Sequence, residues 1–424
     1  MNLAGDARAR GLNTTRCLAL AVGAILGVAW VCTFSEVVVA TGPLILTPHI
    51  SVSEQYNDNI FFSSSHTPDY VTSITPGLTL QYQQPRMTFS LSGGTSAQVY
   101  ARQTNQNNWA RSQTGILIAS YEASPRLSLR LIDTVARVGQ TRTGEQPTGS
   151  TTTPPATEPP SPDTEVSTLL PRGDVLSNSF FGSADYLLAP RWTGRVGYHN
   201  NLSNFTDPGG QNVTHRVLSG LTYGWSPTLS LLGSLAYSRY IVSRATDTET
   251  YNPTAGFSYV YDPTLSASAA AGVYVNRPLQ AGGNNNISSR TGPTFSLTAE
   301  KAFAQATVSF NASQYITTSA GVAGVSLTRT VAVTYTADLA QRLTGIIRTS
   351  YNDFDTSQTN FQVIQLLVRL NYSLSEYIST GLSYSFRWRD ANQTVPGTIT
   401  AGSIDGNIIQ LYIRGSYPVW HSEL

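Results

Sequence analysis

The C-terminal stretch Asn407-Ile-Ile-Gln-Leu-Tyr-Ile-Arg-Gly-Ser-Tyr417, followed by Pro418, Val419 and Trp420, decides the fold. Successive side chains of an extended strand point to opposite faces with a period of two residues. That period separates an apolar face from a polar one: Ile409, Leu411, Ile413, Gly415 and Tyr417 against Gln410, Tyr412, Arg414 and Ser416. Because one face suits lipid and the other suits water, the stretch is typical of the last strand of a transmembrane β-barrel.

The same alternation recurs upstream, in segments joined by short and long connections in turn. Such an order is typical of bacterial transmembrane barrels, with short turns in the periplasm and long loops outside. The short connections contain Gln84-Pro85, Ser124-Pro125, Ala189-Pro190, Ser226-Pro227, Asp262-Pro263, Lys301-Ala302, Gln341-Arg342 and Ser375-Glu376. The long connections cover 57–69, 102–107, 139–173, 206–212, 244–249, 278–289, 317–324, 353–359 and 389–404.

Eight short and nine long connections predict an all-β, antiparallel up-and-down barrel of about eighteen strands, within a range of about 16–18. An even number returns both chain ends to the periplasm, as bacterial barrels require. The alternative is a soluble β-sandwich or propeller. Its strands average about five or six residues, about half the length of several segments here, and it would not require short and long connections to alternate.

The N-terminus has the features of a secretory signal. Arg8, Arg10 and Arg16 precede an apolar run at 17–31, and the small-residue ending Val38-Val-Ala40 offers a cleavage site. We therefore predict a signal peptide over residues 1–40 and a mature barrel over 41–424. The alternative, an N-terminal membrane anchor, is disfavoured because the apolar run is shorter than the roughly 20 residues that a spanning helix needs.

Composition excludes several classes of function. Only 12% of residues are charged, against about 25% in soluble domains, and the formal net charge of +1 offers no basis for nucleic-acid binding. Cys17 and Cys32 both lie in the predicted signal peptide, so disulfide, thiolate-metal and cysteine-nucleophile sites are excluded from the mature chain. The 139–173 connection is rich in Pro, Thr and Ser, which predicts a disordered extracellular loop and not a constriction folded into the lumen.

Several arginines fall on the polar face of their strands. The candidate pore-lining residues are Arg195, Arg348, Arg369, Arg387 and Arg414, with Asp185 as the clearest acid on the same face. Fixed positive charge on a pore wall raises the local concentration of anions, which favours small acidic solutes or an acidic polysaccharide. The alternative is that these arginines pair across the lumen with carboxylates of the loops.

Catalytic and metal sites have weak support. His49 and His199 share the inward face with many serines, but no spacing singles out a nucleophile and its base. The sequence has no HExxH motif, phosphate-binding glycine loop or Cys/His metal set, so we predict no enzyme activity, no cofactor and no metal. Asn57-Asp58-Asn59 has oxygen ligands for calcium, but such residues also form turns.

The start of the mature chain resembles a known family. The residues that carry the resemblance are Leu46-Thr-Pro-His-Ile-Ser-Val-Ser-Glu54-Gln-Tyr56-Asn-Asp58-Asn59-Ile-Phe61, followed by Ile74-Thr-Pro76-Gly77-Leu78. They are similar to the outer-membrane β-barrel porins of Gram-negative bacteria that are associated with exopolysaccharide loci. The resemblance implies an outer-membrane location, contact with lipid and lipopolysaccharide, and a role in export of surface polysaccharide. It carries over no catalytic residue.

These patterns together predict a passive channel or export pore, because a barrel of about eighteen strands is wide enough for an aqueous path. Two alternatives stay open: a structural or adhesive barrel that only anchors its loops, and a hydrolase at the edge of the lumen. The sequence pattern leaves the oligomeric state open.

The barrel prediction is tested by solution behaviour. The mature polypeptide is expected to need detergent or lipid to remain monodisperse with its native sheet content, because its outer face is apolar. Size-exclusion chromatography combined with circular dichroism checks this. A monodisperse, sheet-rich protein in buffer without any amphiphile would rule the barrel out.

Overall fold

A computed structural model describes residues 44–138, 175–205, 210–243, 246–279, 289–318, 325–356, 359–394 and 401–422. The predicted signal peptide at 1–40 and the predicted disordered loop at 139–173 lie outside the described residues. Both therefore stay predictions.

Eighteen long strands make up the described part of the chain. They are β1 Leu44–Asn57, β2 Asp69–Gln84, β3 Met87–Tyr100, β4 Asn108–Ser124, β5 Leu127–Val138, β6 Val175–Ala189, β7 Trp192–Phe205, β8 Gly210–Gly224, β9 Leu229–Val242, β10 Thr248–Asp262, β11 Leu265–Pro278, β12 Arg290–Ala302, β13 Ala306–Thr318, β14 Val325–Ala340, β15 Leu343–Asp355, β16 Asn360–Ser373, β17 Ile378–Ala391 and β18 Gly402–Ser416. A short β19, Trp420–Ser422, follows, and a 3-10 turn, Thr104–Gln106, lies between β3 and β4. No helix in these residues has the length and apolarity to cross a membrane.

The strands form one closed antiparallel sheet. Each of the eighteen pairs with its neighbours in sequence, and β1 pairs with β18, with Val52 opposite Ile413. Past β18 the chain continues along β1, where the Tyr417 and Val419 N–H groups donate to the carbonyls of Pro48 and Leu46 at 3.2 and 3.0 Å. The predicted up-and-down barrel and its alternating connections are confirmed. We call the end with the tight connections the turn end and the other the loop end.

The two faces of the sheet are as the alternation predicted. On β18, Ile409, Leu411 and Ile413 are 49, 55 and 53% exposed, whereas Gln410 between them is 4% exposed and points inward. Large apolar side chains are exposed in the same way on the outer face around the barrel. A continuous apolar outer surface is the arrangement of a transmembrane barrel, because a soluble monomer rarely exposes apolar patches this extensive.

Aromatic side chains mark both edges of the apolar surface. At the turn end the rings of Trp192 and Tyr223 are 4.6 Å apart and those of Tyr377 and Tyr417 are 4.8 Å apart. At the loop end Tyr237 packs beside Tyr251 at 5.2 Å. Such rings prefer the interface between water and hydrocarbon, so these clusters delimit the part of the barrel that faces lipid.

The inner face of the sheet is closely packed between β9 and β13, a region that we call the β9–β13 corner. Gly256 and Gly272 face neighbouring strands so closely that an added Cβ would lie 2.7 Å from the Ala270 Cα and from the Thr254 Cγ2, respectively. Across this corner the Tyr240 hydroxyl on β9 donates to the Ile316 carbonyl on β13 at 3.1 Å. Because this side chain links strands that are not neighbours, the corner occupies part of the interior at the loop end.

The interior is less uniformly hydrated than the sequence indicated. Its inward face is rich in hydroxyl and amide groups, but near the loop end several large apolar side chains also point inward. Val71, Tyr100, Phe354, Phe361, Val363 and Ile404 are each exposed by no more than 2%. The rings of Phe354 and Phe361 stack at 4.6 Å. The inner wall at this end is therefore partly a packed core.

Inward glycines make room for flat-lying rings. The Tyr412 ring lies over Gly381 on the neighbouring strand and its hydroxyl bonds to the Asn371 amide oxygen. His49 covers Gly77 and Tyr274 covers Gly292 in the same way. The ring shields the glycine backbone, and the missing side chain lets the ring lie against the wall.

Replacing Gly381 should therefore destabilise the barrel. In Gly381→Ala the new methyl group would meet the Tyr412 ring and lie 2.6 Å from the Leu370 carbonyl oxygen, an overpacking that costs about 1–3 kcal/mol. Thermal unfolding in detergent, followed by circular dichroism, should show a lower midpoint. The matched control is Gly220→Ala, also inward, whose methyl group would lie no closer than 3.7 Å to any neighbour. Equal midpoints for the two variants would contradict this packing.

Candidate pore-lining site

Four of the predicted arginines lie on consecutive strands and all point inward. They are Arg348 on β15, Arg369 on β16, Arg387 on β17 and Arg414 on β18. The pairing of strands sets their relative heights. Arg348 lies opposite Leu367, Arg387 opposite Gln365, and Arg414 opposite Ser379, which lies opposite Ser373.

Together with Arg389 on β17, these arginines form a row when their levels are measured along β16. The inward positions 363, 365, 367, 369 and 373 of β16 lie level, in that order, with Arg389, Arg387, Arg348, Arg369 itself and Arg414. Between positions 363 and 373, the one inward position without an arginine is Asn371, which lies level with Gly381 and Tyr412. Ten residues of strand span about 33 Å. We call these five side chains the arginine row, which runs from the loop end towards the turn end.

Three members of the row have no acidic partner in the described residues. No described carboxylate lies within the 4.0 Å ion-pair distance of Arg369, Arg387 or Arg414. The Arg369 Nε is buried and has no hydrogen-bond acceptor. The predicted alternative, pairing with loop carboxylates, is therefore not found for these three in the part of the chain described.

Arg195 behaves differently from the row. It lies on β7 directly opposite Asp185 on β6, and both point inward. Its Nε and Nη2 donate to Asp185 Oδ1 and Oδ2 at 2.6 and 3.2 Å, and about a quarter of each side chain is exposed. A two-point contact of this kind neutralises both charges locally. The structure thus brings Asp185 and Arg195 together, about half-way round the barrel from the row.

The two histidines predicted on the inward face, His49 and His199, lie apart from each other. His199 and Ser179 contact each other through Nε2 and Oγ at 3.1 Å, but His199 lies opposite Arg216 and has no carboxylate to orient it among the described residues. His49 lies on β1, away from this pair, with its ring over Gly77. Within the described ranges no group of three His, Cys, Asp or Glu side chains could hold a metal.

The Asn57-Asp58-Asn59 segment forms a turn and an anchor. The Asn59 N–H donates to Asn57 Oδ1 at 2.9 Å, which is an Asx turn. The Asp58 carboxylate accepts from the Asn407 N–H and Nδ2 at 2.6 and 2.7 Å. Of the two predicted roles, turn formation accounts for these contacts and calcium binding is not needed.

Comparison with known proteins gives structural likenesses only. No protein-family model and no curated protein matches the chain. Solved structures that resemble it include OccK2 (OpdF) of Pseudomonas aeruginosa, at 10% identity and a TM-score of 0.45 over 89% of this chain and 98% of that one. OccAB4 of Acinetobacter baumannii has 10% identity and a TM-score of 0.44, over 88% and 98%. The outer membrane protein opdK of P. aeruginosa has 10% identity and a TM-score of 0.44, over 88% and 99%.

No residue role is carried over from these structures. The resemblance to exopolysaccharide-associated porins stays a prediction.

The hydrolase alternative is tested at the Ser179–His199 contact. Because no carboxylate in the described ranges orients this imidazole, we expect the purified barrel in detergent to cleave chromogenic esters no faster than its Ser179→Ala and His199→Ala variants. Initial rates at neutral pH measure this, with His49→Ala as a second histidine variant. A rate that falls by about tenfold or more in His199→Ala alone would establish a histidine-dependent activity.

Proposed function

We propose that this protein is an outer-membrane channel through which small anionic solutes pass. The observation that carries the proposal is the arginine row, three of whose members have no carboxylate partner in the described residues. A pore wall with fixed, unneutralised charge of one sign concentrates counter-ions from the surrounding solution. The row would give anions a path along one side of the lumen.

The spacing of the row suits transport better than tight binding. Successive members of the row are two residues apart along β16, or four between Arg369 and Arg414, which corresponds to about 6.6 or 13 Å along the strand direction. An anion that leaves one guanidinium therefore has another further along its path. For conduction, a pore must bind an ion strongly enough for it to enter. The binding must also be weak enough, or spread over enough sites, for the ion to leave. A single bidentate site, such as Asp185 provides for Arg195, would instead hold its partner in place.

The location follows from the outer surface. Its apolar belt and aromatic edges suit a bilayer, and the predicted signal peptide supports export across the inner membrane. The turn end is then periplasmic and the loop end extracellular. Outward arginines near the loop end, Arg239 and Arg329, lie 3.6 and 2.6 Å from Asp247 and Asp353. In this setting the partners of the outer face are outer-membrane lipid and lipopolysaccharide.

The packed loop end favours small solutes over a polymer. The resemblance of the N-terminal strands implies polysaccharide export, but inward apolar side chains and the β9–β13 corner both narrow this end. A polysaccharide in transit needs an open path along its whole length. The proposal therefore assigns small anions to the channel, with an acidic surface polysaccharide as the second candidate.

Planar-bilayer recordings test the channel and its charge selectivity. The wild-type protein should give discrete, anion-selective conductance steps, whereas a barrel that only anchors its loops should give none. Replacing Arg369, Arg387 and Arg414 together with serine should lower the anion-to-cation permeability ratio by about threefold or more at 0.1 M salt. The effect should shrink at 1 M salt, because the screening length falls from about 10 to about 3 Å.

Two control variants sharpen this experiment. Asp185→Asn removes an inward negative charge from the pore wall and should shift selectivity towards anions, opposite to the triple variant. Arg239→Ser removes an outward arginine and should leave selectivity unchanged. Unaltered reversal potentials in the triple variant would reject the arginine row as the source of selectivity.

A further inference from the structure

We call the first long loop, residues 58–68 between β1 and β2, L1. Its residues 59–62 lie against the inner wall of the barrel. An added Cβ on Gly406 would point inward, since Gly406 lies opposite the inward Arg387. That Cβ would lie 3.5 Å from the Asn59 Cβ and 3.5 Å from the Phe62 Cδ2. Asn59 and Phe62 therefore occupy the lumenal side of β18, in space left by the missing side chain.

Polar contacts fasten L1 to β18. The Asn59 amide Nδ2 donates to the Asp405 carbonyl at 2.9 Å and to the Ser63 carbonyl at 2.8 Å. The Asp58 N–H donates to the Asn407 carbonyl at 3.1 Å, in addition to the two bonds that the Asp58 carboxylate accepts from Asn407. Hydrogen bonds to a charged group are about twice as strong as neutral ones. L1 is thus tied to the wall at successive residues.

Apolar packing fastens L1 to the strands on its other side. Ile60, 5% exposed, packs with Val71 of β2 and Tyr100 of β3, both of which point inward and are 1% exposed; Phe61 covers the cluster. Removing these apolar side chains from water stabilises the contact. The loop therefore lies on the lumenal wall from β3 round to β18.

Phe62 meets the outermost member of the arginine row. Its ring lies 5.5 Å from the Arg389 guanidinium carbon, within cation–π range, and Arg389 is 1% exposed. Phe62 and His66 have φ angles of 45° and 41°, in the left-handed region. Such angles are uncommon for residues other than glycine and strain the backbone. The anchors of L1 hold a strained loop in place over the top of the row.

We propose that L1 is the constriction of this channel, with Phe62 as the residue that limits the size of anions admitted to the arginine row. Phe62 fills the space beside Gly406, which lies opposite Arg387, and its ring packs on Arg389, the first member of the row. A fixed aromatic obstacle at the entrance admits small anions and excludes extended polysaccharide chains. The inference rests on the proposed function and adds to it the residue that selects by size.

The position of L1 is tested first by cross-linking, which does not depend on conductance. The predicted mature chain has no cysteine, and Cβ atoms about 3.5–4.5 Å apart suit a disulfide. The pair Asn59→Cys and Gly406→Cys should therefore close under mild oxidation in the membrane, giving a mobility shift on non-reducing gels that dithiothreitol reverses. The two single variants are the controls. A folded double variant whose two thiols stay free and react with maleimide would place L1 elsewhere.

The role of L1 is tested by conductance and by liposome swelling with neutral sugars of increasing size. Phe62→Ala should raise the single-channel conductance by about twofold and admit larger sugars than the wild type. Asp58→Ala, which removes the carboxylate anchor to Asn407, should act in the same direction. The matched control, Phe303→Ala, removes an exposed phenylalanine from a tight turn at the opposite end and should change neither quantity.

The outcomes separate this inference from the channel proposal. Wild-type and Phe62→Ala proteins with equal conductance and equal size limits would overturn the constriction while leaving the channel intact. A wild-type protein that gives no conductance and admits no sugar would overturn the channel, and the constriction with it. Cross-linking together with a raised size limit in Phe62→Ala is the result expected.

Discussion

The pairing of β1 with β18 is the constraint on which the rest of the structure depends. Inside a bilayer no water is available to an unpaired backbone N–H or carbonyl, so a sheet can cross only if it has no free edge. His49–Asn57 of β1 and Ile408–Ser416 of β18 supply the last set of partners. The Tyr417 and Val419 N–H groups extend that ladder to the first residues of β1. Closure fixes which face of every strand is inside, because alternation is strict once the first and last strands are in register.

Local features of the sequence determine the parts of the fold that could be predicted. The period of two and the lengths of connections are readable from a few neighbouring residues, and together they predicted the faces and the number of strands. The order of the arginine row was not predictable in this way. It depends on the offset between strands, as when Arg387 lies level with Gln365 and Arg348 with Leu367. That offset is set by tilt and closure of the whole barrel.

Long-range packing accounts for what the sequence pattern missed. L1 was predicted as a polar extracellular connection, because its composition is that of a turn, whereas it is held on the inner wall by β2, β3 and β18. One signal was present in the sequence. Ile404 and Ile408 are apolar residues at positions of β18 where the alternation calls for polar ones. In the structure both point inward and are 2 and 6% exposed, so these two exceptions mark the place where the interior is packed. Gly406 between them marked the gap that Phe62 fills.

The charges on the inner wall argue for a role beyond stability. Along β16, Arg369 lies four residues, about 13 Å, from the levels of Arg387 and of Arg414. Two unit charges about 13 Å apart repel by roughly 0.3 kcal/mol in water and by about 1.3 kcal/mol at an effective dielectric constant of 20. Elsewhere in the barrel an inward arginine is paired with an acid on the neighbouring strand, as Arg195 is with Asp185. Arg369, Arg387 and Arg414 have no such acid in the described residues, and the inner wall around them offers serines and amides instead.

Folding alone gives no reason to keep such a row on consecutive strands. The proposed channel function supplies one: a water-filled path would screen the charges, and anions would occupy them in passing. Arg389, at the loop end of the row, has a different environment because the wall is packed there. The ring of Phe62 lies over its guanidinium group, where the other members of the row would face solvent.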